Sequence, residues 1–385
     1  MRSSLLLAAL PLAAASPLNR APLMTRDDAD VIEGKYIVVM KKGAEISDVN
    51  NAISNIAGEA EYVFNNLGGF AASLTDEEVD LFATTLAYVS YIEQDAKAQI
   101  FATQIGAPWG LARLSNTSPG STTYTYPDNA GEGVCAYVVD TGIDVNHSDF
   151  EGRVTWVARV YGDNDYDDHS HGTHCAGTIA GKTYGVAKKA SLFAIKAFNA
   201  AGGGTTGSMI AGMEKVIEDV PNRDCPNGVV VSMSFGGGKT QAVNDAAKAL
   251  TDAGYFAAAA AGNGNIFGTP IDAGTVSPAS EPSLCTVGAT DSNDIVASFS
   301  NYGAVVDIFA PGVGVLSDVP NNGTGTKSGT SMATPHIAGL GASFLSQGQS
   351  AAGLCEYLKG IALSGVISGV RSGTANLLAQ NGLAA

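Results

Sequence analysis

The apolar positions of the chain fall into two regimes. Between residues 35 and 93, short apolar runs alternate with amphipathic ones. Residues 35–40 read as a strand and 45–57 as a helix opened near Ser47. Residues 61–64 and 69–74 read as strands, Thr75-Asp76-Glu77-Glu78 caps a helix to about Thr85, and 89–93 forms a last strand. This alternation predicts a small open sheet with helices on one face. From Gly133 onward the strands become almost wholly apolar. Residues 134–139 run into Asp140, and 192–197, 228–234 and 255–261 repeat the pattern. Helices are predicted at 172–180, 208–220, 241–253 and 331–345. Apolar strands alternating with helices predict a parallel sheet covered on both faces, an α/β architecture.

The last predicted helix is rich in small residues. Gly339, Gly341 and Ala342 permit close backbone approach, and Ser331 stands at its N-terminal mouth. A hydroxyl there is an ordinary helix cap, or a nucleophile set in the positive end of a helix dipole. Asp140 ends an apolar strand, the place where ligands collect in such sheets. Three of the five histidines lie in His169-Ser170-His171-Gly172-Thr173-His174. They suit a general base, or a zinc site using His169, His171 and His174. Cys175 follows His171 by one helical turn and so would lie under it. Asn263, after Gly262 at another strand end, suits a turn or an amide donor to an oxyanion.

Composition narrows these readings. The net charge of −16 and the lack of a basic stripe argue against a nucleic-acid partner. Met1-Arg2, an apolar stretch to Leu12 and Ala13-Ala14-Ala15 predict a secretory signal over 1–15. No later stretch is long and apolar enough to span a bilayer, so a secreted, extracellular protein is expected. Five cysteines, all beyond residue 101, predict two disulfides and one free thiol. Asn116, Asn146 and Asn322 each open a glycosylation sequon.

Asp140, His171, Asn263 and Ser331 occur in the order of the subtilisin-like serine peptidases. His171-Gly172-Thr173-His174-Cys175-Ala176-Gly177 and Gly329-Thr330-Ser331-Met332-Ala333-Thr334-Pro335-His336 resemble that family's histidine and serine motifs nearly letter for letter. Ala107-Pro108-Trp109-Gly110, Tyr184-Gly185-Val186-Ala187 and Ser277-Pro278-Ala279-Ser280 resemble the proteinase K branch. The resemblance covers 102–385, and 35–95 more loosely as an inhibitory prosegment. It implies a three-layer α/β/α peptidase domain at 102–385, preceded at 16–101 by an α+β ferredoxin-like prosegment that inhibits transiently and is then removed.

The resemblance further implies that Ser331 is the nucleophile, His171 the base and then acid, Asp140 its orienting carboxylate, and Asn263 the oxyanion donor. Gly202, Gly203 and Gly204, with Ser232, Ser234, Phe235 and Gly236, would flank an extended protein or peptide substrate. Ala260, Ala261 and Gly262 would line the pocket before the scissile bond, favouring aromatic or aliphatic residues. Self-cleavage after Phe101 would place that ring in the pocket, with Ala98 three residues upstream. Cys135 would pair with Cys225 and Cys285 with Cys355, leaving Cys175 free. One calcium site is implied at Pro282, Leu284 and Asp307. The family's second site, using Thr117 and an acidic residue near 366, is not expected, because Val366 stands there. No catalytic cofactor, no membrane contact and a monomeric mature enzyme are expected. The rivals are a binding-only relative, an esterase on another α/β fold, and the zinc hydrolase. The first would lack one of the four site residues. The second would need a Gly-x-Ser-x-Gly elbow with its histidine last.

Overall fold

The computed structural model describes residues 20–25, 31–97 and 100–383. The expected signal at 1–15 and Ala98 lie outside the described residues. The chain divides into two compact units, Met1–Gln99 and Ile100–Ala385. This division falls two residues before the expected boundary at 101/102. Phe101 begins a strand, Phe101–Ile105, that pairs antiparallel with Thr123–Pro127 inside the larger unit.

The smaller unit is a five-stranded sheet in the spatial order Leu23–Met24, Val89–Ala96, Val31–Met40, Gly69–Ser73, Ala60–Phe64. Its first pair is parallel and the others are antiparallel. Helices Ile46–Ile53 and Asp76–Thr84 send Val49, Ala52, Val79 and Phe82 into one core with Val38, Phe70 and Ile92. Thr75 and Glu78 cap the second helix reciprocally, as the sequence predicts.

The larger unit is built on a nine-stranded sheet. In chain order its strands are β1 (Cys135–Asp140), β2 (Val154–Arg159), β3 (Ser191–Lys196), β4 (Val229–Met233), β5 (Phe256–Ala260), β6 (Cys285–Thr290) and β7 (Ile308–Pro311). A hairpin of β8 (Val315–Val319) and β9 (Gly323–Lys327) lies outside the sheet, and short β10 (Leu363–Ser364) and β11 (Leu377–Leu378) complete it. The order is β10-β11-β7-β6-β5-β4-β1-β3-β2, parallel throughout except at β10–β11.

The helices that cover it include α1 (His171–Ala180), α2 (Thr206–Asp219), α3 (Gln241–Asp252) and α4 (Thr330–Ser346). Alternate residues of β1 face opposite cores. Ala136 and Val138 join Ile179, Ile337 and Leu340 from α1 and α4. Tyr137 and Val139 join Met213, Val216 and Leu250 from α2 and α3. The result is the α/β/α three-layer architecture expected of apolar strands. Disulfides link Cys135 to Cys225 and Cys285 to Cys355, and Cys175 is a buried free thiol.

Candidate active site

Strand β1 delivers Asp140 at its carboxyl end, 2% exposed. Helix α1 begins with His171, and the next residue must be glycine. A Cβ at Gly172 would stand 2.1 Å from the Gly142 carbonyl, so only glycine lets α1 close on the end of β1. The approach puts His171 Nδ1 2.7 Å from Asp140 Oδ1, which also accepts the Thr141 N–H at 2.7 Å. The Asp140 carboxylate fixes the tautomer, with Nδ1 protonated and Nε2 free. Burial pulls the His171 pKa down, but the charge and hydrogen bond of Asp140 outweigh it and hold it well above the ordinary 6.5.

Helix α4 brings Ser331. Its N-cap is Gly329, so Ser331 is the second helical residue and not the cap that its position suggested. Pro335 lies inside the helix and has no N–H to give the Ser331 carbonyl. That carbonyl takes the Ser234 hydroxyl at 2.9 Å and the Cys175 thiol at 3.4 Å instead. Ser331 Oγ in turn donates to the Ser234 carbonyl at 2.9 Å. Cys175 Sγ also lies 3.9 Å from His171 Nδ1, so Ser331 and His171 meet over one sulfur. Burial pushes the Cys175 thiol up, which keeps it protonated and apolar in character.

Asn263 stands beside Ser331. Its Oδ1 accepts the Thr330 N–H at 2.8 Å and the Thr330 hydroxyl at 2.9 Å, which fixes the direction of the amide. A Cβ at Gly329 would lie 3.3 Å from Asn263 Nδ2 and 3.6 Å from the Ser331 nitrogen. Gly329 thereby leaves open a point on which two N–H donors converge, and such a point suits a developing oxyanion.

Two cavities flank these residues. One of about 310 Å³ is lined by Ala260, Gly262, Gly264, Val276 and Ser331. The other, about 180 Å³, is lined by Asp140, His169, His171, Phe198, Gly202 and Ser234. Phe235 and Gly236 border both. Gly203 and Gly204 are exposed beside Gly202. Two of the expected residues do not line either cavity. Ala261 is fully buried in a separate core with Val306 and Phe309, and Ser232 is buried within β4 at 1% exposure. A strand's alternation turns one side chain in two away from the groove.

The three clustered histidines do not converge. His174 Nε2 donates to the carbonyls of Val315 and Gly325 at 3.0 and 3.1 Å, and burial pulls its pKa to about 4. A zinc triad of His169, His171 and His174 is therefore not assembled. Away from the groove, Pro282, Leu284, Asp307 and Glu356 line a cavity of about 300 Å³. Asp307 Oδ2 accepts the Thr286 N–H at 2.9 Å, and Lys359 Nζ stands 3.4 Å from Oδ1. Sequence reasoning missed Lys359, the anchoring of Asn263 by Thr330, and Asp167. Each acts through a neighbour, so its role lies in a contact and not in its own position in the sequence.

A profile of the subtilase family matches residues 131–355. Among relatives, proteinase R of Parengyodontium album is 48% identical over 390 residues, covering 99% of both chains. A cuticle-degrading protease of Metarhizium anisopliae is also 48% identical, covering 99% of this chain and all of that one. Proteinase T of Parengyodontium album is 54% identical over 76% of this chain and 98% of its own. A solved cold-adapted subtilisin-like serine proteinase superposes with a TM-score of 0.65 at 37% identity, covering 72% of this chain and 98% of its own. This chain belongs to the subtilase family, as a serine endopeptidase of the proteinase K type.

Proposed function

We propose that the chain is a secreted zymogen whose mature part cleaves peptide bonds through an Asp140–His171–Ser331 triad and an acyl-enzyme. One observation carries the reading: the 2.7 Å Asp140–His171 hydrogen bond is brought over the same thiol as Ser331, beside the cavity that Ala260, Gly262 and Val276 line. A serine hydroxyl is a weak nucleophile until a base takes its proton. Ser331 Oγ turns from the Ser234 carbonyl to His171 Nε2, gives up its proton and attacks the substrate carbonyl. Asn263 Nδ2 and the Ser331 N–H receive the oxyanion. His171 returns the proton to the leaving amine, and water then releases the acyl group by the same route.

An extended substrate lies between 202–204 and 234–236 and is held by main-chain hydrogen bonds. The cavity behind Ser331 favours an aromatic or aliphatic side chain before the cut, and Phe101 meets that preference at the 101/102 junction. The unit before it is the transient inhibitor, and the mature enzyme is a monomer. No helix among the described residues is long and apolar enough to cross a membrane. The relatives' family supports export.

Calcium fits the Asp307 cavity in chemistry: a carboxylate and main-chain carbonyls are hard oxygen donors. Pro282, Leu284 and Asp307 would hold it. Bound there, it would tie together two segments of chain, 282–284 and the one that carries Asp307. Burial raises the Asp307 pKa, so the carboxylate gains from a cation. Lys359 competes for the same oxygen.

Ser331→Ala tests the reading. It should abolish peptide hydrolysis by about 10⁶-fold in kcat and leave the precursor uncut near 101/102. Hydrolysis or self-processing by this variant overturns it.

A further inference from the structure

We infer that Asp167 is a positioning residue for this reaction, holding both members of the Asp140–His171 pair in register. The inference rests on the catalytic roles proposed above. Asp167 is 3% exposed, and its carboxylate accepts five hydrogen bonds. Oδ1 takes the Thr141 hydroxyl at 2.8 Å and the N–H groups of His169 and Ser170 at 3.1 and 2.9 Å. Oδ2 takes the N–H of Thr173 at 2.9 Å and its hydroxyl at 2.6 Å.

These five donors divide between the two catalytic partners. Thr141 is the residue after Asp140. Its N–H fixes Asp140 Oδ1, and its hydroxyl also receives the Gly172 N–H at 2.9 Å. Asp140 Oδ2 is buried and has no partner in the structure, so the orientation of the carboxylate depends on the Oδ1 side. The Thr141 turn is therefore what aims Asp140, and Asp167 holds the Thr141 side chain.

Ser170 and Thr173 belong to the other partner. Ser170 precedes His171 and sits in the left-handed region at φ 78°, a strained conformation for a residue with a Cβ. Its own side chain does not cap α1. Asp167 does so instead, by taking the Thr173 N–H, and it also holds the Ser170 N–H in the strained turn. The negative charge lies at the N-terminus of α1, where the helix dipole favours it. One carboxylate thus links the turn that aims Asp140 to the turn that aims His171.

The test uses wild type, Asp167→Ala, Thr141→Val and Thr141→Ser, each matured by added wild-type enzyme and purified from it. Active sites are counted with a fluorophosphonate that labels Ser331. Per labelled site, Asp167→Ala and Thr141→Val should lose about 10- to 100-fold in kcat with KM within about twofold. Their acid limb of kcat/KM should move to lower pH, because a loosened Asp140 raises the His171 pKa less. The downfield His171 Nδ1–H proton resonance should broaden or vanish. Thr141→Ser restores the hydroxyl and should restore kcat. A lower melting temperature with wild-type kcat per site, acid limb and proton resonance overturns the inference. Failure of wild type to label at Ser331 would instead overturn the proposed function.

Discussion

Replacing Asp318 with asparagine should stabilise the larger unit at alkaline pH. Asp318 is fully buried near the turn of the β8–β9 hairpin, and neither carboxylate oxygen accepts a hydrogen bond. The groups facing it are charged or titratable. Asp149 and Asp318 each place an oxygen within 2.8 Å of the point where a Cβ of Gly181 would stand, and His147 Nε2 is 3.8 Å from Asp318 Oδ1. Asp149 is already served by the N–H and hydroxyl of Thr183. Burial, with the charge of Asp149, raises the Asp318 pKa from 3.8 to about 8.

The folded state therefore keeps a proton that the unfolded chain releases above pH 4. Stability is full below that pH and falls as pH rises towards 8. At about 1.4 kcal/mol per pKa unit, the shift amounts to an upper bound of roughly 6 kcal/mol above pH 8. Asp149 is partly exposed, so solvent screening takes a share, and about 2–3 kcal/mol is expected. The asparagine amide keeps a donor towards Asp149 and has no proton to lose. Melting of sulfonyl-fluoride-inhibited protein, followed from pH 4 to 9, should show a falling profile for wild type. The variant should lie about 5 °C above it at pH 8.5. A flat wild-type profile, or a variant less stable than wild type at pH 8.5, refutes the reasoning.

Three further outcomes are expected. Asn263→Ala should lower kcat by about a hundred- to a thousandfold with little change in KM, the scale known for the oxyanion asparagine of subtilisin in this family; peptide kinetics measure it. Wild-type kcat/KM should rise with pH through a limb set by His171 above the ordinary 6.5, since the base must be neutral, and Asp140→Asn should cost about 10⁴ in kcat and move that limb down. Lys359→Ala should tighten calcium binding and enlarge the melting-temperature drop on chelation, because Lys359 Nζ stands 3.4 Å from the Asp307 oxygen a cation needs; calorimetric titration and melting with and without chelator measure both.

Much of this molecule was legible because its strands are apolar and its motifs are contiguous. The run before Asp140 announced β1, and the residues from Gly172 to Ala180 announced α1. Strands β6 and β7 did not stand out. β6 is Cys-Thr-Val-Gly-Ala-Thr, whose small residues carry little hydrophobic signal, yet it is wholly buried. Phe309 of β7 covers Gly288, whose absent Cβ would lie 2.5 Å from that ring. Strand β9 of the hairpin is equally silent, being Gly-Thr-Gly-Thr-Lys. At the site, Ser331 read as a possible cap because the helix start is ambiguous by a residue. Ala261 and Ser232 read as groove residues because their motifs touch the groove on alternate positions. Asp167 and Asp318 could not be singled out, since their meaning lies in partners distant in sequence or lacking altogether.

The central claim is that Ser331 is an activated nucleophile. Treating the mature protein with a sulfonyl fluoride and mapping the adduct by mass spectrometry tests it most directly. The account predicts one adduct, on Ser331, with proteolysis lost in proportion to labelling. Complete inhibition with Ser331 unmodified would contradict it.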